Sequence, residues 1–283
     1  MSYQTFASNY KEGEKKVNQQ MVGILEQYAG ELAQAEKERT PIAALTERSP
    51  SLTVEEAYRI QLLGIQEKTK AGQRIIGKKI GLTSHAMQHL LGVDQPDYGH
   101  LLDSMAVENG STIISNRILQ AKVEGEIAFI LKKDLQGPNV TLLDVLQATD
   151  YVLPAIEIVD SRIADWKIKL PDTIADNASS GLYVLGGKPV RIEDIDLELA
   201  GMVLYRNGQM INTGVGAAAL GHPATCVAWL ANKLSEFGIG LKAGEVILSG
   251  ALSAAVPVQP GDHFSVRIAH LGEVNVNFAM DNA

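Results

Sequence analysis

Val123-Glu124-Gly125-Glu126-Ile127-Ala128-Phe129-Ile130-Leu131 is apolar enough to be a buried strand, yet it carries two carboxylates at i and i+2. Successive strand side chains point to opposite faces, so positions two apart share one. Val123, Gly125, Ile127, Phe129 and Leu131 then make a core face, and Glu124 and Glu126 stand side by side on the other. Like charges at that spacing repel, and burial raises the cost. A divalent cation between them is the simplest remedy. A plain solvated face is the alternative, since a short E-x-E pattern is weak by itself.

A third carboxylate, Glu157, lies inside the β-branched run Pro154-Ala155-Ile156-Glu157-Ile158-Val159. Three carboxylates with no Cys or His beside them in sequence suit a hard cation bound through oxygen, Mg²⁺ or Mn²⁺ rather than zinc.

Working outward, short apolar runs at 74–82, 113–115, 123–131, 152–159, 182–185, 202–205, 246–249 and 264–268 alternate with Gly, Pro, Asp and Asn turns. That pattern predicts a β-rich body. Helices are expected to interrupt it at 141–149 and 223–237, the latter opened by the first-turn proline Pro223. Ahead of it, residues 1–16 read as a polar leader and 17–38 as a helix stopped before Pro41. Thr53 with Glu56 three residues on predicts a capped second helix, with Ala57, Ile60, Leu63 and Ile65 on its apolar side. The fold class is therefore α+β: an N-terminal leader and helical region over 1–72, then a mixed β-rich catalytic domain over 73–283.

The 283 residues are 46% hydrophobic and 20% charged, ordinary for a soluble globular protein. A net charge of −8 opposes a nucleic-acid-binding surface. No run of 18 apolar residues predicts a membrane span, and the polar N-terminus lacks the apolar core of a signal peptide. Cys226 is the only cysteine, which excludes an intramolecular disulfide and fits a cytoplasmic location. Its helical, apolar setting reads as a small core residue rather than a nucleophile.

Other residues could carry chemistry. Lys78 and Lys79 fall on opposite faces of a strand, so one can point inward while solvated lysines remain the alternative. A lysine there would offset the negative charge of three carboxylates toward an anionic substrate. Asp97, in the turn-rich Gln95-Pro96-Asp97-Tyr98-Gly99-His100, is either a turn former or a loop-borne acid/base. His85, His89 and His100 have no clean metal spacing. Asp176-Asn177-Ala178-Ser179-Ser180-Gly181 and Gly221-His222-Pro223 could each offer backbone N–H groups to an anion, or be simple turns and packing.

Together Lys79 to Ser84, Gln95 to Gly99, Val123 to Glu126, Pro154 to Glu157, Ala175 to Ser179, Gly221 to Pro223 and Gly244 to Gly250 resemble the fumarylacetoacetate hydrolase superfamily. The likeness runs from about Ser51 to Phe278 and is nearest to its hydratase/decarboxylase branch. It implies a fumarylacetoacetate hydrolase-like β roll, a homo-oligomer, and Glu124, Glu126 and Glu157 as ligands of Mg²⁺ or Mn²⁺. It implies Lys79 as the active-site lysine, Asp97 as an acid/base, and a pocket lined near Ser161, Asn177, Ala178 and Ser179. The implied reaction is hydration of 2-hydroxypenta-2,4-dienoate in aromatic meta-cleavage catabolism. Asp97 favours this over 4-oxalocrotonate decarboxylation, since the related decarboxylases look apolar at that position. A longer 2-oxo-ene-dioate substrate, association with a pathway decarboxylase or hydratase, and a non-catalytic partner subunit are the remaining readings.

Overall fold

The computed structural model describes residues 19–85, 88–89 and 92–280. The expected leader, 1–16, and the first two residues of the expected 17–38 helix lie outside the described residues.

Strand β5 (Lys122–Leu131) runs inside a nine-stranded mixed sheet. The order is β2 (Asp97–Leu102), β1 (Ile75–Gly81), β11 (Val246–Leu248), β5, β6 (Thr149–Val159), β7 (Ser180–Leu185) and β3 (Ala106–Val107). Two short strands, β8 (Val190–Arg191) and β12 (Val256–Pro257), pair with β6 and β5. A second, five-stranded sheet has the order β10 (Gln209–Val215), β9 (Gly201–Arg206), β13 (His263–Ile268), β14 (Gly272–Phe278) and β4 (Thr112–Ile113). The alternation expected along β5 is present. Val123, Ile127, Phe129 and Leu131 are buried in the main core. Between them, a Cβ on Gly125 would stand 3.1 Å from a Val266 methyl and 3.3 Å from the Met202 methyl. Gly125 therefore lets the second sheet approach β5 on its core face.

Helices α1 (Gln19–Glu38), α2 (Leu45–Arg48), α3 (Val54–Lys70), α4 (Leu142–Ala148), α5 (Leu170–Ala175) and α6 (Pro223–Ser235) surround the sheets. Thr53 caps α3 and Glu56 reciprocates, as the sequence predicts. At the start of α6, His222 Nδ1 accepts the Ala224 N–H at 3.0 Å. His222 thus fills that N–H itself, which favours the packing reading over an anion site. Cys226 is fully buried in the core, and burial pushes its thiol far up. No helix among the described residues is long and apolar enough to cross a membrane.

The stretch around Asp97 departs from expectation: it is not a loop but the wholly buried strand β2. Its turn-like residues are held extended by pairing with β1 and by two side chains that satisfy its backbone. Gln61 of α3 donates to Tyr98 O at 3.0 Å and to Ile174 O at 2.8 Å, tying α3, β2 and α5 together. Asn177 accepts the His100 N–H at 2.8 Å and donates to His100 O at 3.0 Å. An edge strand is covered in this way rather than left open. The short α5 and the polar strands β10 and β14 were likewise not expected from the apolar pattern.

His100 is structural rather than a metal ligand. It is fully buried, with Nδ1 at 3.0 Å from Gln61 Oε1. Burial, helped by the Lys78 ammonium opposite it on β1, pushes its imidazole down to about 3. The unfolded imidazole takes up its proton near pH 6.5. Stability present above that pH is therefore lost as the pH falls toward 3. Between pH 7 and pH 5 the wild-type chain should lose about 2 kcal/mol more than His100→Gln in urea unfolding. Equal losses in the two proteins would remove His100 from the acid response.

Candidate metal centre and active site

Strands β5 and β6 pair antiparallel with Glu124 directly opposite Glu157 and Glu126 opposite Ala155. The face of β5 turned away from the main core thus gathers all three carboxylates. One oxygen from each lies within 4.8 Å of the other two. Glu126 and Glu157 are buried and Glu124 is half-buried. Where β11 ends, the Gly250 N–H donates to Glu126 Oε2 at 2.8 Å. Gly250 has φ +105°, and a Cβ there would overlap the Thr83 side chain, so this turn requires glycine.

The remaining oxygens are poorly served. Glu126 Oε1 and both oxygens of Glu157 are buried and accept no hydrogen bond. Glu126 Oε1 and Glu157 Oε2 have no partner of either kind, at about 1–3 kcal/mol each, while Glu157 Oε1 has only an ion pair. Burial, then repulsion from Glu157, raises Glu124 to about 7 and pushes Glu126 well up. The cationic side chain that reaches them is Lys79, with Nζ at 3.1 Å from Glu157 Oε1, while Lys122 acts on Glu124 alone and more weakly. Burial opposes its charge, but Glu157, Asp97, Glu124 and Glu126 together hold its ammonium above the usual lysine range. Three clustered carboxylates with orphaned oxygens and one ammonium fit a hard divalent cation.

Alternation along β1 separates the two lysines as expected, but neither is solvated. Lys78 turns to the other face and pairs with Glu245 at 2.5 Å.

Asp97 begins β2 opposite Gly81 of β1. It is buried, and burial raises its carboxyl above the ordinary range although Lys79 opposes this. Thr173 of α5 donates to Oδ2 at 3.3 Å, while Oδ1 has no hydrogen-bond partner. A Cβ on Gly81 would fall 2.3 Å from Asp97 Oδ1 and 3.4 Å from Lys79 Nζ. Gly81 therefore leaves the space in which the carboxylate and the ammonium converge. Gly81→Ala should displace Asp97 by about an ångström and lower kcat about 100-fold. Steady-state kinetics beside a metal titration would check it; unchanged kcat would show that the space over Gly81 is not needed.

Asn177, Ala178 and Ser179 adopt φ of 53°, 51° and 50° in succession. Left-handed non-glycine residues persist only where their surroundings over-determine them. Here the Arg162 guanidinium bonds the Asp176 side chain and carbonyl, Asp160 O and Ser180 O. Gly99 contributes by absence, since a Cβ on it would lie 2.3 Å from Asn177 O. Among the expected pocket residues, Ser161 is fully buried and its hydroxyl donates to Asp176 Oδ2 at 3.2 Å. The Asn177 amide is engaged with His100, and Ala178 is buried in the turn. Ser179 Oγ lies 3.4 Å from Asp176 Oδ2 and 3.5 Å from Thr173 Oγ1. Sequence reading passed over Thr173, Gln61 and Gly81 as functional positions. Only Gly81 and Gly250 left a trace, as the glycines that end β-like runs.

The fumarylacetoacetate (FAA) hydrolase C-terminal family matches residues 74–279. Over 257 residues the chain is 49% identical to a 2-hydroxyhexa-2,4-dienoate hydratase of Comamonas testosteroni, covering 90% of this chain and 97% of the relative. It is 53% identical over 217 residues to a 2-hydroxypent-2,4-dienoate hydratase of Pseudomonas putida, covering 76% and 98%. A solved 4-oxalocrotonate decarboxylase from Pseudomonas putida G7, complexed with magnesium and adipate, superposes with a TM-score of 0.89 at 38% identity, covering 93% and 99%.

Proposed function

The chain belongs to the fumarylacetoacetate hydrolase family, and from that membership and its site we infer a divalent-metal-dependent hydratase that converts 2-hydroxypenta-2,4-dienoate to 4-hydroxy-2-oxopentanoate. Relatives about half identical over most of both chains are hydratases of such dienoates. The observation that carries the reading is Asp97: a buried carboxyl with one oxygen unpartnered, beside Lys79 and the carboxylate cluster. Neutral donors and a placed acid/base would favour hydration, whereas decarboxylation of a dioate needs basic donors or N–H groups for a second carboxylate.

Glu124, Glu126 and Glu157 would hold Mg²⁺ or Mn²⁺. When bound, the cation supplies Lewis acidity and a fixed positive charge for the substrate's carboxylate and 2-oxygen. Lys79 would balance the anionic charge of substrate and enolate. The net change is one water: C5 and C3 each gain a proton, C4 gains hydroxyl, and the 2-hydroxyl gives up its proton to become a carbonyl. Asp97 would move the proton at the far end of the dienoate or direct the attacking water. The active species in this reading is a homo-oligomer acting on a small-molecule dienoate.

The decarboxylase likeness supports one second reading, loss of CO₂ from 4-oxalocrotonate. Product identification by NMR separates the two, with purified protein, Mg²⁺, each substrate and an EDTA control. EDTA-sensitive 4-hydroxy-2-oxopentanoate from the dienoate, without CO₂ from 4-oxalocrotonate, is the expected result. Fast CO₂ release from the second substrate would overturn it in favour of decarboxylation. Silence with both would move the reading to a longer 2-oxo-ene-dioate or a non-catalytic subunit.

A further inference from the structure

We propose that Thr173 is a positioning residue for Asp97: its hydroxyl fixes Oδ2, so that Oδ1 is the oxygen presented for proton transfer. The inference rests on the reading of Asp97 as the acid/base.

Thr173 lies in α5, which carries no metal ligand, and is buried. Its Oγ1 is 3.3 Å from Asp97 Oδ2 and 3.5 Å from Ser179 Oγ. A hydroxyl has one proton to give, so the directions of these bonds must be consistent. Asp176 already accepts from the Ser161 hydroxyl and from Arg162 N and Nε. It also accepts from the Ser179 hydroxyl, at 3.4 Å. The Asp97 carboxylate can only accept, so the Thr173 proton goes to it, and Ser179 Oγ flanks Thr173 without competing for that proton.

The contacts run from the Arg162–Asp176 pair, through the left-handed turn at 177–179, to the acid. It gives the strained turn a task, since the turn carries Ser179 within reach of Thr173. The other carboxylate oxygen is treated differently. Oδ1 makes no hydrogen bond of ordinary geometry, only a weaker approach to the Gly81 backbone, and faces the space left by the missing Cβ of Gly81. The two oxygens of one carboxylate are therefore made unequal. The contacts are longer than a tight hydrogen bond, as is common before substrate closes a site. A β-branched threonine has few χ1 states, which suits a residue that must keep its hydroxyl aimed.

The test compares Thr173→Val, Thr173→Ser and Asp97→Asn in the full-length protein with 2-hydroxypenta-2,4-dienoate, with Mn²⁺ titrated separately. Thr173→Val keeps the shape and deletes the hydroxyl. Its kcat should fall about 10–100-fold, the range for removing a group that orients a functional side chain. KM and Mn²⁺ affinity should stay within about twofold, and Thr173→Ser should recover most of the lost kcat. Wild-type kcat in Thr173→Val beside an inactive Asp97→Asn would overturn the inference and leave the acid/base reading intact. Wild-type turnover by Asp97→Asn would overturn both. An equal loss in Thr173→Ser and Thr173→Val, accompanied by lower melting temperatures, would make Thr173 a packing residue and overturn the proposal.

Discussion

Glu126→Gln should abolish divalent-metal-dependent turnover and, in metal-free protein, raise the melting temperature. Both effects follow from the same crowding. Glu124 and Glu126 share one face of β5, Glu157 is opposite on β6, and three of their buried oxygens accept no hydrogen bond. Without a cation, each buried charge is a liability that one lysine only partly offsets. A glutamine keeps an acceptor for the Gly250 N–H, now 2.8 Å from the carboxylate, and adds an amide donor among the orphaned oxygens. It also removes one anionic ligand. Deleting an outer-shell partner typically costs 10–100-fold in metal affinity, so losing a direct ligand should cost more than about 100-fold. Thermal unfolding with and without Mn²⁺ reads both effects. The wild type should gain about 2.7 kcal/mol at a hundred times its Kd, and the variant almost nothing. Wild-type turnover by Glu126→Gln would remove this residue from the ligand set.

The second large effect is expected at Lys79. Lys79→Met deletes the ammonium 3.1 Å from the buried Glu157. Breaking one side of a buried pair leaves the other charge uncompensated, at about 3–5 kcal/mol. Metal-free Lys79→Met should therefore unfold at lower urea by about that amount. Mn²⁺ should restore much of the loss, because the cation supplies the missing positive charge. Its affinity should rise rather than fall, since a neighbouring like charge has gone. Turnover should stay low with metal present, because the anionic dienoate loses its side-chain cation. Equal metal-free stability of the two proteins would show that the Lys79–Glu157 pair carries no such load.

The parts of this architecture visible in the sequence are those governed by short-range periodicity. Alternation over residues 123–131 located the core face, the carboxylate face and, with Glu157, the candidate cation ligands. The Thr53–Glu56 cap is also local, spanning three residues. What stayed hidden depends on distant partners. Asp97, Gly99 and His100 have turn chemistry, and only pairing with β1 plus Gln61 and Asn177 makes them part of a buried strand. Lys78 reads as a surface lysine until Glu245, 167 residues away, meets it. Thr173 sits in an unremarkable Leu-Pro-Asp-Thr-Ile-Ala stretch, and its partner Asp97 is 76 residues away. Its hydroxyl has no signature in composition or spacing.

The central claim is that Glu124, Glu126 and Glu157 together hold a divalent cation. Anomalous diffraction from crystals of this protein soaked in Mn²⁺ tests it most directly. The account predicts a manganese peak bounded by these three carboxylates and lost in Glu126→Gln crystals. A peak elsewhere, or none among these side chains at saturating Mn²⁺, would contradict it.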